Sequence, residues 1–309
     1  MRKWTVAAVV VAVVAAGIAA VVVFRPEDDA PTTTSAAPSA TSRPVHPGVY
    51  VVKVDNAPAA RPQTGLASAD VVYVEPVEGG LTRFAAVYST PPEVVGPVRS
   101  ARETDLDLLA RYGSPVLAYS GSAPALKSLL ERSGLVRAPA DDTPAAYFRD
   151  DNRAAPHNLY VRPNALPTPA AGPEQTTPTG PAPAQGRPET TWQVTYPGTR
   201  FDLAWRDGWA ISADGTPLRT TEKGEITTTN VVIQHVETRA GVAIEDASGS
   251  PSPVVVTVGS GAAEVLRDGQ AFEDVTWSRP TPADQTRFTA GGADLPLAPG
   301  PTWVFLVTS

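Results

Sequence analysis

The chain has 309 residues, with 33 prolines, 24 glycines, no cysteine and a formal net charge of −7. The length allows about two domains, and the negative charge argues against nucleic acid as a general partner. The lack of cysteine excludes disulfides, thiolate metal sites, thiol catalysis and a lipid attached through cysteine.

The N-terminal segment predicts a membrane anchor at residues 1–24. Arg2 and Lys3 precede an uncharged, apolar run over 5–24, and about 20 helical residues cross the hydrocarbon core of a bilayer. The positive-inside rule then places the rest of the chain outside the cytoplasm, as a single-pass protein of the plasma membrane. The alternative is a signal peptide cleaved at the small residues 17–19, which would give a secreted protein.

Proline-rich stretches divide the remaining chain into two predicted domains. Residues 25–47 are rich in Pro, Thr, Ser and Ala and predict an extended tether. A second stretch, 163–189, contains eight prolines and predicts a linker. The folded domains are therefore expected at 48–162 and 190–309.

The first domain is predicted as an α/β (α+β) domain with a mixed sheet. Apolar, β-branched runs at 49–54 and 70–74 predict strands, and Glu78-Gly79-Gly80 predicts a hairpin turn into a third strand at 81–88. A helix at about 101–111, a strand at 115–119 and a helix capped by Ser122 follow. This alternation favours a sheet covered by helices on at least one face.

The second domain is predicted to be all-β and mostly antiparallel. Its strand-like runs are separated by Asp-Gly and Gly-rich turns, which are typical of hairpins. The predicted strands are 201–205, 230–236, 254–258, 263–266 and 303–307, with Asp-Gly turns at 207–208, 214–215 and 268–269.

The run Gly-Pro-Val-Arg-Ser-Ala-Arg-Glu at 96–103 offers an anion site. Ser100 and Glu103 have the spacing of a capping box, and the start of a helix presents unpaired N–H groups to an anion. Arg99 and Arg102 beside it would strengthen the binding of a phosphate or carboxylate. The alternative is an ordinary capped surface helix whose arginines pair with nearby acidic residues.

A second group of candidates lies in the aperiodic segment 148–160. Functional groups concentrate on loops held by a scaffold, and of the three histidines only His157 lies in such a segment. The alternative is a set of solvent-exposed ion pairs of little energetic value. The candidates are Arg149, Asp150, Arg153, His157 and Asn158.

No motif in the sequence demands a metal or a cofactor. Asp55, Glu75, Glu78 and Asp105 could help to hold Mg²⁺ beside a phosphate, but their spacing does not require it. We therefore predict no cofactor from the residues alone.

Several segments carry a resemblance to a known family, in the same order along the chain. In the first domain they are Asp55-Asn56, 60–66, 69–73, 78–84, 96–102, 148–150 and 155–160; in the second they are 230–234, 258–261, 285–288 and 299–303. These segments resemble the YerB-like extracytoplasmic family, domain of unknown function 3048, N- and C-terminal domains. The resemblance implies this architecture and compartment but no established activity. Family members are typically lipoproteins, and because this chain has no cysteine to acylate, the predicted helix would replace the lipid. The family also usually has two glycines after the strand, where this chain has Gly121-Ser122.

A weaker likeness is to the LytR-CpsA-Psr phosphotransferases. It rests on Ser-Ala-Arg-Glu at 100–103 and Ala-Tyr-Ser-Gly at 118–121 before a helix. Those enzymes hold a polyprenyl pyrophosphate with arginines and move glycopolymer onto the cell wall. The likeness implies that Asp55 or Glu103 would assist a metal, Mg²⁺, or a proton transfer. The phosphate clamp would be Arg83, Arg99, Arg102 and Arg149.

We therefore expect an extracytoplasmic cell-envelope protein that binds an anionic wall or lipid-linked ligand in an arginine-lined pocket of the first domain. The phosphotransferase is one alternative; another is a protein–protein scaffold with surface tryptophans among Trp205, Trp209 and Trp277. Whether the protein is an enzyme stays open. The candidate ligand-binding residues are Asn56, Arg61, Gln63, Glu78, Arg83, Arg99, Ser100, Arg102, Ser120, Arg149, Asp150, Arg153, His157 and Asn158.

Overall fold

The computed structural model describes residues 45–46, 48–173, 177–242 and 252–308. The predicted membrane anchor and most of the predicted tether lie outside these ranges. No helix within them is long and apolar enough to cross a membrane. The described residues form mostly β-structure around one large mixed sheet, with two short α-helices.

The N-terminal half supplies five strands of the large sheet, both α-helices and a separate hairpin. The strands are β1 (Tyr50–Asp55), β2 (Val71–Pro76), β3 (Thr82–Tyr88), β4 (Val116–Tyr119) and β5 (Val136–Pro139), and the hairpin is β6 (Tyr147–Arg149) and β7 (Leu159–Val161). The helices are α1 (Thr104–Ala110) and α2 (Pro124–Arg132), and the 3₁₀ turns are Pro58–Ala60, Leu66–Ser68, Glu78–Gly80, Pro144–Ala146 and Pro163–Ala165.

The C-terminal half supplies a small antiparallel sheet and the other half of the large one. The longer strands are β8 (Thr191–Tyr196), β9 (Thr199–Trp205), β10 (Trp209–Ala213), β11 (Asn230–Val236), β12 (Gly259–Arg267), β13 (Gln270–Arg279), β14 (Arg287–Ala290) and β15 (Thr302–Thr308). Two-residue strands are Val45–His46, Gly172–Pro173, Arg187–Pro188, Thr216–Pro217, Arg219–Thr220, Gly224–Glu225, Thr227–Thr228, Thr238–Arg239, Val254–Val255 and Ala293–Asp294.

The large sheet runs through both halves of the chain. Its order is β14-β13-β12-β11-β15-β2-β3-β1-β4-β5, with Ala293–Asp294 and Arg187–Pro188 added at β14 and β13. The halves meet where β15 pairs in parallel with β2, so that Trp303 lies opposite Val72. The last strand of the chain therefore lies between the two halves of the sheet.

Alternating side chains give the large sheet two buried faces. On one face Val52 and Val54 belong to a core that includes the small sheet of β8, β9 and β10; there Phe201 meets Phe305 edge to face, with ring centroids 5.1 Å apart. On the other face Val51 belongs to a core completed by leucines of α1 and α2, among them Leu108. Layers of strand on one side and helix on the other hold the sheet between them.

The prediction of an α/β first domain holds only in part. The mixed sheet is present, and helices cover one face, but they have only 7 and 9 residues, and strands dominate. Helix α2 begins at Pro124 without a side-chain cap, so the predicted Ser122 cap is wrong. In the second half the pairing is mostly antiparallel, with β11 and β15 parallel.

The predicted turns at 214–215 and 268–269 were more accurate than the predicted length of the strand at 254–258. Asp214 and Asp268 have φ of 54° and 53°, and the glycines that follow them also have positive φ. This is the conformation that Asp-Gly hairpin turns require. The strand expected at 254–258 is reduced to Val254–Val255.

Candidate functional site

The candidate site lies where the neighbouring parallel strands β1 and β4 separate. The strands pair over Tyr50–Val52, and beyond that point residues 97–101 run between them. On one side Arg99 N–H donates to the Lys53 carbonyl and Asp55 N–H to the Pro97 carbonyl, at 2.9 Å each. On the other side Ser120 N–H donates to the Arg99 carbonyl at 3.0 Å. Ligand sites favour such openings at the carboxyl ends of strands.

This path overturns the predicted capping box. Helix α1 begins at Thr104, and the side chain of its N-cap residue, Glu103, forms no capping hydrogen bond. Ser100 lies instead in the segment 97–101, which we call the inserted segment because it runs between β1 and β4. Its hydroxyl is 3.5 Å from that of Ser120. Glu103 binds Arg239 at 2.7 Å rather than its own helix. The backbone of 97–101 is hydrogen-bonded to both strands, and this leaves it unavailable for a helical turn.

Three arginines gather at this opening. The pKa of Arg83 is lowered to about 10, first by burial and then by the positive charges of Arg102 and Arg99. Arg83 donates to the Ser100 carbonyl at 3.4 Å, and its Nε–H has no acceptor among the described residues. Arg102 is held by Glu78 through two hydrogen bonds of 2.5 and 2.9 Å, a charge-assisted bidentate pair.

Arg99 is the least constrained of the three. Its Nε lies 3.2 Å from Asp55 Oδ2, and its side chain is 27% exposed. The contact is an ion pair without hydrogen-bond alignment, because the same Nε–H counts as unsatisfied among the described residues. The end of this guanidinium is therefore available to an incoming anion.

Asp55 joins His157 to the arginines. His157 Nδ1 lies 2.7 Å from Asp55 Oδ2, and Ala57 N–H donates to the other carboxylate oxygen at 3.0 Å. The histidine reaches this position from the loop between β6 and β7, a hairpin that also bonds to the inserted segment through Val98 N–H and the Leu159 carbonyl. A carboxylate on one ring nitrogen fixes the orientation of the imidazole.

Two amide side chains and one arginine form hydrogen bonds around Asp55. Asn56 donates to the Thr82 hydroxyl at 2.7 Å and accepts from Arg61 at 3.2 Å, while Gln63 donates to the Asp55 carbonyl at 3.1 Å. Arg61 also forms an ion pair with Asp214 at 3.1 Å, which ties this edge to the small sheet.

Other predicted residues hold the neighbouring loops rather than contacting the three arginines. Arg153 donates to the carbonyls of Ala60 and Pro62 at 2.9 and 2.7 Å. Arg149 donates to Asn158 at 2.7 Å within its own hairpin. Asp150 accepts from the backbone and the amide of Asn152 at 3.0 and 2.9 Å. These contacts shape the loop that carries His157.

Sequence reasoning missed a buried ionic triad beside the site. Lys53 Nζ lies 2.7 Å from Glu75 and 2.6 Å from Asp105, and all three side chains are at most 1% exposed. Burial raises the pKa of Glu75 to about 7, with Lys53 opposing the shift and Asp105 adding to it. Lysine within the apolar run Val-Tyr-Val-Val-Lys-Val was the signal, because an unpaired charge there would be costly.

The carboxylates considered for Mg²⁺ face cations of the chain. Glu75 and Asp105 contact Lys53, Glu78 contacts Arg102, and Asp55 contacts Arg99. Within the described ranges no group of three or more His, Cys, Asp or Glu side chains is arranged to hold a metal.

The tryptophans considered for a scaffold surface are mostly interior. Trp209 is fully buried and Trp277 nearly so, while Trp205 is half-buried and meets Trp209 at 5.5 Å between ring centroids. Their positions match core packing.

Comparison with known proteins confirms the family resemblance. The models for the N-terminal and C-terminal domains of a protein of unknown function (DUF3048) match residues 33–175 and 191–304. The putative lipoprotein YerB of Bacillus subtilis (strain 168) is 41% identical over 112 residues. That match covers 36% of this chain and 34% of the relative, about a third of its length.

A solved structure shares the fold. The crystal structure of the YerB protein from Bacillus subtilis aligns with a TM-score of 0.70 and 23% identity. The alignment covers 84% of this chain and 91% of that chain.

Proposed function

This chain belongs to the DUF3048 family, whose function is unknown, and on that premise we propose that it is an extracytoplasmic cell-envelope protein that binds an anionic ligand at Arg83, Arg99 and Arg102. Two observations support the compartment. The N-terminal run 5–24 has the pattern of an anchor or signal, and a relative is named a putative lipoprotein. The membrane would be its first partner, through that N-terminal segment.

The unsatisfied Arg99 guanidinium carries the proposed binding function. Arg102 already has a bidentate carboxylate partner in Glu78, but among the described residues the side chain of Arg99 has only the unaligned contact with Asp55. Arginine binds phosphates and carboxylates through paired N–H groups. A phosphate or carboxylate at this opening would supply the acceptors that Arg99 lacks, and it would reduce the repulsion among the three arginines.

The test is calorimetric titration of the full-length protein in a mild detergent with inorganic pyrophosphate and with a muropeptide. We expect Arg99→Gln to weaken the binding of the anion by roughly tenfold or more, because a charge-assisted hydrogen bond contributes about 1.5–3 kcal/mol. Arg200→Gln is the matched control, since Arg200 is an exposed arginine paired with Asp202 on β9. The proposal would be refuted if neither probe binds, or if Arg99→Gln binds the anion as tightly as the wild type does.

One observation favours a phosphotransferase as a second candidate. The Asp55–His157 pair has the geometry in which a carboxylate orients an imidazole for proton transfer. With water as the acceptor, full-length protein and Mg²⁺ would convert geranyl pyrophosphate to geranyl phosphate and inorganic phosphate. The release is followed by ³¹P NMR, and His157→Gln would abolish it. If release is absent in the wild type, or unchanged in His157→Gln, this candidate fails while the binding function stands.

A further inference from the structure

A separate cavity of about 740 Å³ lies against the helix-covered face of the large sheet. Its walls come from both halves of the chain, including Val71 of β2, Leu108 of α1, Val232 of β11 and Val304 of β15. Its lining surface is mainly apolar, and its volume falls in the range of small-molecule sites. None of Arg83, Arg99 and Arg102 lines it.

Two buried arginines also line this cavity. Arg111 and Arg279 are 5% and 1% exposed. Within the described ranges neither forms an ion pair, and every acceptor of their hydrogen bonds is neutral. Arg111 donates to the hydroxyls of Tyr73 at 3.2 Å, Thr286 at 3.4 Å and Thr177 at 3.2 Å, and to the Gln285 amide at 2.5 Å. Arg279 donates to Thr257 and to the backbone carbonyls of Asp107, Pro282 and Asp284.

This arrangement leaves two positive charges with no carboxylate at ion-pair distance in the described part of the chain, although Asp107 favours the charged form of Arg279 from farther away. Burying a charge without an opposite charge costs several kcal/mol. The pKa of Arg279 is lowered to about 10, first by burial and then by the positive charge of Arg111. The Nε–H of Arg111 has no acceptor among the described residues, although its side chain is buried. Both the charge and the donor are those that an anionic group would satisfy.

Hydroxyl groups cluster around the arginines of this cavity. Around the arginines lie the hydroxyls of Tyr73 and Tyr112, 2.9 Å apart. Exposed residues, including Asp70 and the segment 299–301, form the rim. Asp70 would repel an anion there, so the charged group of a ligand belongs at the arginine end and its apolar part along Val71, Val232 and Val304.

We propose that this cavity binds a single-chain anionic amphiphile, a fatty carboxylate or a lipid phosphate, with its head at Arg111 and Arg279. The carboxylate or phosphate supplies the negative charge and the acceptor that the Arg111 Nε–H lacks, and the chain fills the valine- and leucine-lined volume. The site is independent of the arginine cluster at the β1–β4 opening.

The test is competitive photolabelling of the full-length protein in lipid nanodiscs with a diazirine-bearing dodecanoate. We expect labelled peptides to map to the cavity walls, and Val71→Trp, which fills the cavity from a half-buried position, to reduce the labelling about tenfold. Leu81→Trp is the control, because Leu81 is exposed and lies outside the cavity. Arg99→Gln should leave the labelling unchanged, which separates this site from the proposed function.

Competition on the wild-type protein tests the charge without any variant. Laurate or dodecyl phosphate should compete at least tenfold better than dodecanol, and which of the two is stronger identifies a carboxylate or a phosphate source. Each methylene added from octanoate to laurate should improve competition by up to about fourfold, as the burial of about 0.8 kcal/mol per methylene predicts. Equal competition by dodecanol, labelling unaffected by Val71→Trp, or no competition by either anion would overturn the proposal.

Discussion

Two regions of this protein bring arginines close together, and they compensate the charge in different ways. At the β1–β4 opening, Glu78 pairs with Arg102 and Asp55 contacts Arg99. At the cavity, the described contacts of Arg111 and Arg279 are all with neutral acceptors. The difference separates a region where carboxylates of the chain balance part of the positive charge from one where, in our proposal, an outside anion balances it.

Removing the buried lysine should produce the largest effect. Lys53→Met leaves Glu75 and Asp105 buried without their cation, and breaking a buried ion pair costs about 3–5 kcal/mol. We expect that loss in the free energy of unfolding at pH 7, measured with urea. Lys127→Met on the exposed side of α2 is the control. A loss below about 1 kcal/mol would show that charge balance is not what holds this region together.

The second largest effect is expected in the pH dependence of stability, which Glu75 beside the β1–β4 opening should dominate. Glu75 has a pKa raised from 4.5 to about 7 by burial, against the effect of Lys53. The folded state therefore binds a proton more tightly than the unfolded state, and this group's contribution to stability falls as the pH rises from about 4.5 to about 7. The fall is at most about 3 kcal/mol, since one pKa unit corresponds to about 1.36 kcal/mol.

Glu75→Gln should flatten that dependence. The measurement is the free energy of unfolding of wild type and variant at several values between pH 4 and pH 8. The difference between the two curves isolates Glu75 from the other titrating groups. A difference that does not change with pH, or one that grows in the opposite direction, would contradict the raised pKa.

A smaller effect is expected where Glu78 pairs with Arg102. Glu78→Gln removes the bidentate carboxylate and should lower the free energy of unfolding by about 2 kcal/mol. The extra positive charge should also strengthen the binding of inorganic pyrophosphate several-fold. Denaturation and calorimetry check the two effects. Weaker binding in Glu78→Gln would mean that Glu78 orders the site rather than competing with the ligand.

The sequence predicted local structure well where a residue pair strongly favours one backbone conformation. Asp-Gly at 214–215 and 268–269 gave hairpin turns because only such pairs adopt consecutive positive φ readily. The β2–β3 hairpin at Glu78-Gly79-Gly80 followed for a similar reason. The pairing of β15 with β2 was not predictable, because parallel partners more than 200 residues apart leave no local pattern.

The sequence named several residues that lie at the candidate site, but it did not predict their arrangement. Arg99 and Arg102 were singled out because they flank the predicted capping box, which does not form, and His157 because it lies in an aperiodic segment. The sequence did not show that 97–101 would run between two strands, because that competes with a helical start that the local pattern favours. Arg111 and Arg279 gave no signal, since an isolated arginine near an apolar element is normally an exposed one.

Tyr112→Phe should have the smallest effect and sharpens the comparison at the cavity. The Tyr112 hydroxyl bonds that of Tyr73, which also accepts from Arg111. Its removal leaves Tyr73 with one partner, so we expect a loss of about 1 kcal/mol in the free energy of unfolding. Tyr50→Phe, at a half-buried tyrosine outside the cavity, is the control. If the cavity arginines depended on this hydroxyl pair for their stability, the loss would reach several kcal/mol, and the need for an outside anion would disappear.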